Sequence, residues 1–172
     1  LGELIARLKT KESAANPKDC VWRSVIRKDY AALEAALKHP ACAHIRDPNS
    51  GCTPLHLCAD PASARLLIRY GYDPNVPDNY GETPLHHACA RLDVATAKTL
   101  LDGGASPLIK DHFGRYPSDG ALMTQGDSKL KSEMLNMLKI AEIKAAPSKE
   151  RQTPAQHEKQ SSAAPVMRRA GK

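Results

Sequence analysis

Apolar residues recur along this chain at helical rather than strand spacing. Val21, Trp22, Val25 and Ile26 form one stripe, and Ala32, Leu33, Ala36 and Leu37 form a second. Leu66-Leu67-Ile68 and the run from Ala95 to Leu101 form two more, and Leu130, Met134, Leu135, Met137 and Leu138 a fifth. Spacings of three and four place each set on one helix face. Leu1, Leu4, Ile5 and Leu8 fall at i, i+3, i+4 and i+7. The segment 1–16 is therefore expected to hold an amphipathic helix and a linker. Its first reading is a cover for the helix pair that follows, and its second a helix that docks on a partner. No run of about 18 apolar residues occurs, so membrane insertion is not expected.

A phrase interrupts this pattern twice. Thr53-Pro54-Leu55-His56 follows Gly51 by two residues, and Thr83-Pro84-Leu85-His86 follows Gly81 in the same way, 30 residues on. Thr suits an N-cap and Pro the first helical position, where its missing N–H costs nothing. Leu then opens the buried face. A fixed period of this size marks stacked units, none of which can bury its apolar face alone.

On these residues the chain resembles the ankyrin-repeat family. Gly81-Glu82-Thr83-Pro84-Leu85-His86-His87-Ala88-Cys89 matches the first half of the family unit. Ala95 to Leu101, then Gly103-Gly104-Ala105-Ser106-Pro107, matches the second. The unit opening at Gly51 is similar but three residues short, near Asp60-Pro61. Asp111-His112-Phe113-Gly114-Arg115-Tyr116-Pro117-Ser118-Asp119 reads as a degenerate last repeat, with Tyr in place of the capping Thr. The resemblance implies an all-α solenoid of about four helix-turn-helix repeats over residues 17–143, joined by hairpin-like turns. It implies structural roles for Thr53, Pro54, His56, Thr83, Pro84 and His86, and turn-shaping roles for Asp47, Asp78 and Asp111. It also implies protein–protein recognition through turn tips and a concave face. The candidate partner contacts are Asn79, Tyr80, Glu82, Ala90, Arg91, His112, Phe113 and Arg115. Tyr80 and Phe113 are the natural anchors, because buried aromatics dominate interfaces; the alternative is that both rings pack flat on the next repeat.

Charge separates the tail from the rest. The net charge is +6, and residues 144–172 carry 7 Lys/Arg against 2 Glu, which accounts for +5 of it. This segment is rich in Ala, Pro, Ser, Gln and Lys. It lacks the apolar residues that offset ordering entropy, so it is expected to be disordered alone and to order only on a partner. Lys149, Arg151, Lys159, Arg168, Arg169 and Lys172 are its candidate contacts. They suit RNA through counterion release, or an acidic protein surface such as that of tubulin. No aromatic is interleaved with them, which removes the base-stacking argument.

The remaining chemistry is sparse. No G-x-S-x-G, P-loop or G-x-G-x-x-G phrase occurs, so catalysis is not expected. His56, His86 and His87 with Cys58 and Cys89 have no zinc-motif spacing and no C-x-x-C, so neither a metal nor another cofactor is expected. His87 stands apart, as a polar residue at a position usually apolar in the family. Five cysteines, an odd number, argue against a secreted disulfide framework. They point to a reducing intracellular compartment, cytoplasmic first and organellar second. The chain opens on Leu1 rather than Met, so its native start is expected to have been cut off or processed away. The expected function is a non-catalytic structural or adaptor subunit of a larger protein assembly. The alternatives are a ribonucleoprotein subunit and the targeting fragment of a larger enzyme.

Overall fold

The repeated phrase starts helices, and the Asp residues start their partners. The computed structural model describes residues 17–42 and 44–145. Over these residues the chain forms eight α-helices and no strand. They are α1 (Pro17–Arg27), α2 (Tyr30–Leu37), α3 (Pro54–Leu57), α4 (Pro61–Arg69), α5 (Pro84–Ala90), α6 (Val94–Asp102), α7 (Pro117–Met123) and α8 (Ser128–Ala145), with a short 3₁₀ turn at Pro40–Cys42. Each odd-numbered helix pairs with the next, giving four units. The first helices stack in one layer, α1 on α3, α3 on α5 and α5 on α7. The second helices stack behind them, α2 on α4, α4 on α6 and α6 on α8.

The stack buries one continuous core. Leu33, Leu55, Leu67, Leu85, Leu100, Met134 and Leu138 are all fully buried. Small residues let the helices approach: Ala64, Ala88, Ala97 and Ala121 are closed off from solvent, as are the thiols Cys58 and Cys89. All five cysteines are free. Trp22 and Val25 seal the first unit. Lys144 and Ala145, assigned by composition to the tail, form the last turn of α8. That helix runs two residues past 143, and Ile140 and Ile143 lie exposed on it.

The phrase caps its helix through the histidine ring. Thr53 N–H donates to Nδ1 of His56 at 3.0 Å, and Thr83 N–H donates to Nδ1 of His86 at 3.1 Å. The far ring nitrogens bond onward, His56 Nε2 to the Glu82 carbonyl and His86 Nε2 to the Arg115 carbonyl, at 3.1 and 3.2 Å. Only one tautomer meets both demands: Nδ1 accepts and Nε2–H donates. The Thr and His form a reciprocal capping box, and the Thr hydroxyl also meets the ring nitrogen at 3.0 Å in one unit and 2.9 Å in the other. The last unit keeps the device without the phrase. Tyr116 N–H donates to Oδ2 of Asp119 at 2.8 Å, so a carboxylate replaces the imidazole.

The second helices start on aspartates. Asp29, Asp60 and Asp93 accept from the amides of Ala32, Ser63 and Thr96 at 3.0, 2.9 and 3.0 Å. In the first and third units a residue at positive φ precedes the cap, Lys28 (57°) and Leu92 (55°). The short second unit has no such residue. Its α3 stops after four residues, and Cys58 turns out at φ −58°, ψ 122°.

Candidate functional site

The hairpin-like turns between units are built on three equivalent aspartates. Oδ1 of Asp78 accepts from the amides of Tyr80 and Glu82, both at 2.9 Å. Oδ1 of Asp111 accepts from those of Phe113 and Arg115, also at 2.9 Å. Asp47 turns its Oδ2 to the Ser50 amide and hydroxyl at 2.9 and 2.7 Å. The turns stack in register: Asn79 N–H donates to the Ser50 carbonyl and His112 N–H to the Tyr80 carbonyl, both at 3.0 Å. Close stacking explains the glycines. A Cβ on Gly81 (φ 80°) would lie 2.7 Å from the His112 amide nitrogen, and one on Gly51 (φ 71°) 2.9 Å from that of Asn79.

The predicted contact residues divide sharply. Tyr80 and Phe113 occupy the same place in successive turns and stand out, 60% and 69% exposed. They do not lie flat against the neighbouring repeat. The Arg115 guanidinium sits over the Phe113 ring at 4.9 Å. His112 and Ala90 are exposed, although the Ala90 carbonyl takes the Thr124 hydroxyl at 2.9 Å. Asn79 is exposed, but its side-chain amide donates to the Asn49 carbonyl at 2.8 Å.

Three candidates are engaged inside the solenoid. Arg91 donates to the carbonyls of His56 and Cys58 at 3.1 and 2.6 Å. These are carbonyls that the short α3 leaves without helical partners. Arg91 is a plug for the missing turn rather than a free surface cation, although the residue as a whole is exposed. Arg115 pairs with Asp111 at 2.7 Å and with Glu82 at 3.3 Å. Glu82 also lies 3.4 Å from Nε2 of His87. Charged side chains on a repeat surface are ordinarily solvated, and that simple reading covers Glu82, Arg91 and Arg115. It fails because each meets an unpaired carbonyl or an opposite charge from the adjoining unit. The tail candidates Lys149, Arg151, Lys159, Arg168, Arg169 and Lys172 lie outside the described residues, as does the segment 1–16.

His87 has a definite partner. Its Nε2 lies 3.1 Å from Oδ2 of Asp78, and the thiol of Cys52 lies 3.8 Å from the same oxygen. Burial pushes the Asp78 carboxyl up, but hydrogen bonds from His87 and from the Tyr80 and Glu82 amides more than offset this and hold it below the usual range. Burial pushes the Cys52 thiol up. Among the described residues, Cys52, Asp78 and His87 are the set whose ligand atoms converge, all within 4.8 Å of one another. The sequence flagged His87 by its polarity but missed Cys52, which sits in the variable slot between Gly51 and Thr53. Stacking one turn onto the next brings the three together.

The turn ladder, the paired helices and the His-capped phrase meet in one comparison. The family model for ankyrin repeats, in three copies, matches residues 14–111. The chain belongs to the ankyrin-repeat family. The fourth helix pair, α7 and α8, lies beyond the matched residues and continues the same stack. Sixty residues are 45% identical to neurogenic locus notch homolog protein 4 of Homo sapiens, 33% of this chain and 3% of that protein. Sixty-seven residues are 41% identical to the ADP-ribosylation factor GTPase-activating protein AGD2 of Arabidopsis thaliana, 34% of this chain and 9% of that one. The chain thus spans under a tenth of the length of either relative. Ankyrin repeats mark it as a protein–protein interaction module, of a class that is generally non-catalytic. No helix among the described residues is long and apolar enough to cross a membrane.

Proposed function

We propose that this repeat protein is a structural or adaptor subunit that holds a partner protein on its turn tips, with Tyr80 and Phe113 as anchors. The observation that carries this is the exposure of two aromatic rings, 60% and 69%, at equivalent places in turns hydrogen-bonded to each other. A ladder that fixes both backbones presents the rings at little ordering cost on binding. Aromatics on such a rigid frame are the residue type that dominates interface energy. Asn79 and His112 flank them at the tips. The basic segment 144–172 adds a second, salt-sensitive attachment and raises avidity through effective concentration. The free thiols fit a reducing compartment.

The test is the double variant Tyr80→Ala, Phe113→Ala. Affinity for the partner protein falls by more than about 30-fold, the equivalent of about 2 kcal/mol, while the thermal midpoint stays unchanged. Unaltered affinity alongside a lowered midpoint assigns both rings to the packing of the repeats. A loss of affinity seen only for RNA, and only on deleting the tail, favours the ribonucleoprotein reading.

A further inference from the structure

Asp78 and Asp111 do the same backbone task with Oδ1, accepting the amides two and four residues on, while Asp47 accepts one amide, three residues on, with Oδ2; the three differ in what Oδ2 meets. Asp47 Oδ2 takes Ser50, its own turn. Asp111 Oδ2 takes a cation, the Arg115 guanidinium, at 2.7 Å. Asp78 Oδ2 has neither. It faces the Cys52 thiol at 3.8 Å from the preceding turn and His87 Nε2 at 3.1 Å from α5. The slot that holds Arg115 in the last turn holds Glu82 in this one, and its carboxylate lies 3.4 Å from the same imidazole nitrogen.

We propose that Cys52, Asp78 and His87, with Glu82 beside them as a fourth ligand, form a binding site for a Zn²⁺ ion, set where the first two hairpin turns meet α5. The donor types suit the ion: one thiolate, one imidazole and one carboxylate converge within 4.8 Å of one another, and the Glu82 carboxylate, 3.4 Å from the imidazole, is the nearest candidate for a fourth, tetrahedral position. The spacing suits it as well. With metal–ligand bonds of about 2.0–2.3 Å, tetrahedral neighbours lie about 3.3–3.6 Å apart. Asp78 to His87 at 3.1 Å, Glu82 to His87 at 3.4 Å and Cys52 to Asp78 at 3.8 Å lie near that range, and Cys52 lies within 4.8 Å of His87. The carboxylate is already aimed, because Oδ1 of Asp78 is pinned by two backbone amides at 2.9 Å and Oδ2 alone faces the cluster. Such outer contacts orient ligands before a metal arrives.

Thiolate and two carboxylates contribute −3 and the ion +2, leaving −1 beside the Arg115 guanidinium, which lies 3.3 Å from Oε1 of Glu82 and is shared with Asp111 at 2.7 Å. Oε2 of Glu82 stays directed at His87, where the ion would sit. On binding, the Cys52 thiol proton leaves to solvent. The imidazole proton now on Nε2 moves to Nδ1, freeing Nε2 to coordinate. Cys52 and Asp78 are buried and Glu82 is half-exposed, which leaves an approach from solvent on the Glu82 side. This inference does not depend on the identity of the protein partner.

The probe is Co²⁺ added to the full chain under reducing conditions, followed by displacement with Zn²⁺. The expected result is one equivalent of tetrahedral Co²⁺ with a thiolate-to-metal charge-transfer band, and a thermal midpoint that rises with Zn²⁺ concentration. Cys52→Ser abolishes the band and His87→Leu weakens Co²⁺ binding by at least about tenfold, while Cys20→Ser leaves both intact. Circular dichroism checks that each variant folds. If Cys52→Ser does not, His87→Leu decides, since leucine suits that helix position. Absence of a thiolate band overturns the proposal, as does a band that survives Cys52→Ser or metal affinity unchanged in His87→Leu.

Discussion

The second and third units carry the same phrase and the same His-mediated cap, yet they are held together differently. The third unit is self-sufficient. Its α5 runs seven residues, Leu92 takes positive φ, and Asp93 starts α6. The second unit is three residues shorter and α3 runs only four. It borrows from both neighbours. Arg91 of the third unit donates to the carbonyls that α3 leaves open. Tyr72, at the place of Ala105 in the third unit, reaches into the first and donates its hydroxyl to the Cys42 carbonyl at 2.6 Å. A repeat can lose a turn when long side chains from adjacent repeats satisfy the exposed backbone. The consequence is that the second unit is the least able to stand alone.

The largest expected effect comes from Tyr72→Ala. It empties a buried aromatic site and strands a carbonyl, for a loss of about 3–5 kcal/mol. Denaturant unfolding measures it, and a loss under about 1 kcal/mol would dissolve the contrast with Ala105. The same hydroxyl carries an alkaline signature. Burial pushes it up to about 12 from an ordinary value of 10. Its folded value is raised, so its contribution is fully present below about pH 10 and is lost as pH rises through about 12. Tyr72→Phe removes that dependence.

Arg91→Ala comes next. It leaves the His56 and Cys58 carbonyls facing an emptied gap, for a cost of about 1–3 kcal/mol, softened by whatever water enters. Arg91→Lys does not restore the fork that reaches two carbonyls at once. If Arg91→Ala is neutral for stability but weakens partner binding, Arg91 belongs to the interface and the short unit needs no plug.

These contrasts show what could be read from the chain beforehand. The phrase at Thr53 and Thr83 announced the helices, because capping is local and depends on residues three apart. The apolar stripes announced the second helices for the same reason. Tyr80 and Phe113 were legible as tips from their place between the turn Asp and Gly. The roles of Arg91, Glu82 and Arg115 were not, because each depends on a group about 30 residues away that only stacking brings near. The Asp119 cap was hidden because the last unit lacks the phrase, and a carboxylate there does the work of the imidazole in the second and third units. The meeting of Cys52, Asp78 and His87 was hidden in the same way, across two turns and a helix.

The smallest expected effect tests the feature the two units share. Thr53→Ala and Thr83→Ala each remove a hydroxyl that rests on the histidine ring, at 3.0 and 2.9 Å. Neither removes the Thr amide that donates to that ring, nor the onward bond from Nε2. Each loss is therefore about 1 kcal/mol or less, at the lower end for an N-cap. The two losses should agree within about 0.5 kcal/mol, since the cap geometry matches in both units and the sites share no partner. Parallel denaturation of the two variants measures the difference. A Thr53→Ala loss well above that of Thr83→Ala would mean that the four-residue α3 relies on its own cap more than on Arg91 and Tyr72. The stability of the short unit would then begin at its first residue rather than at its neighbours.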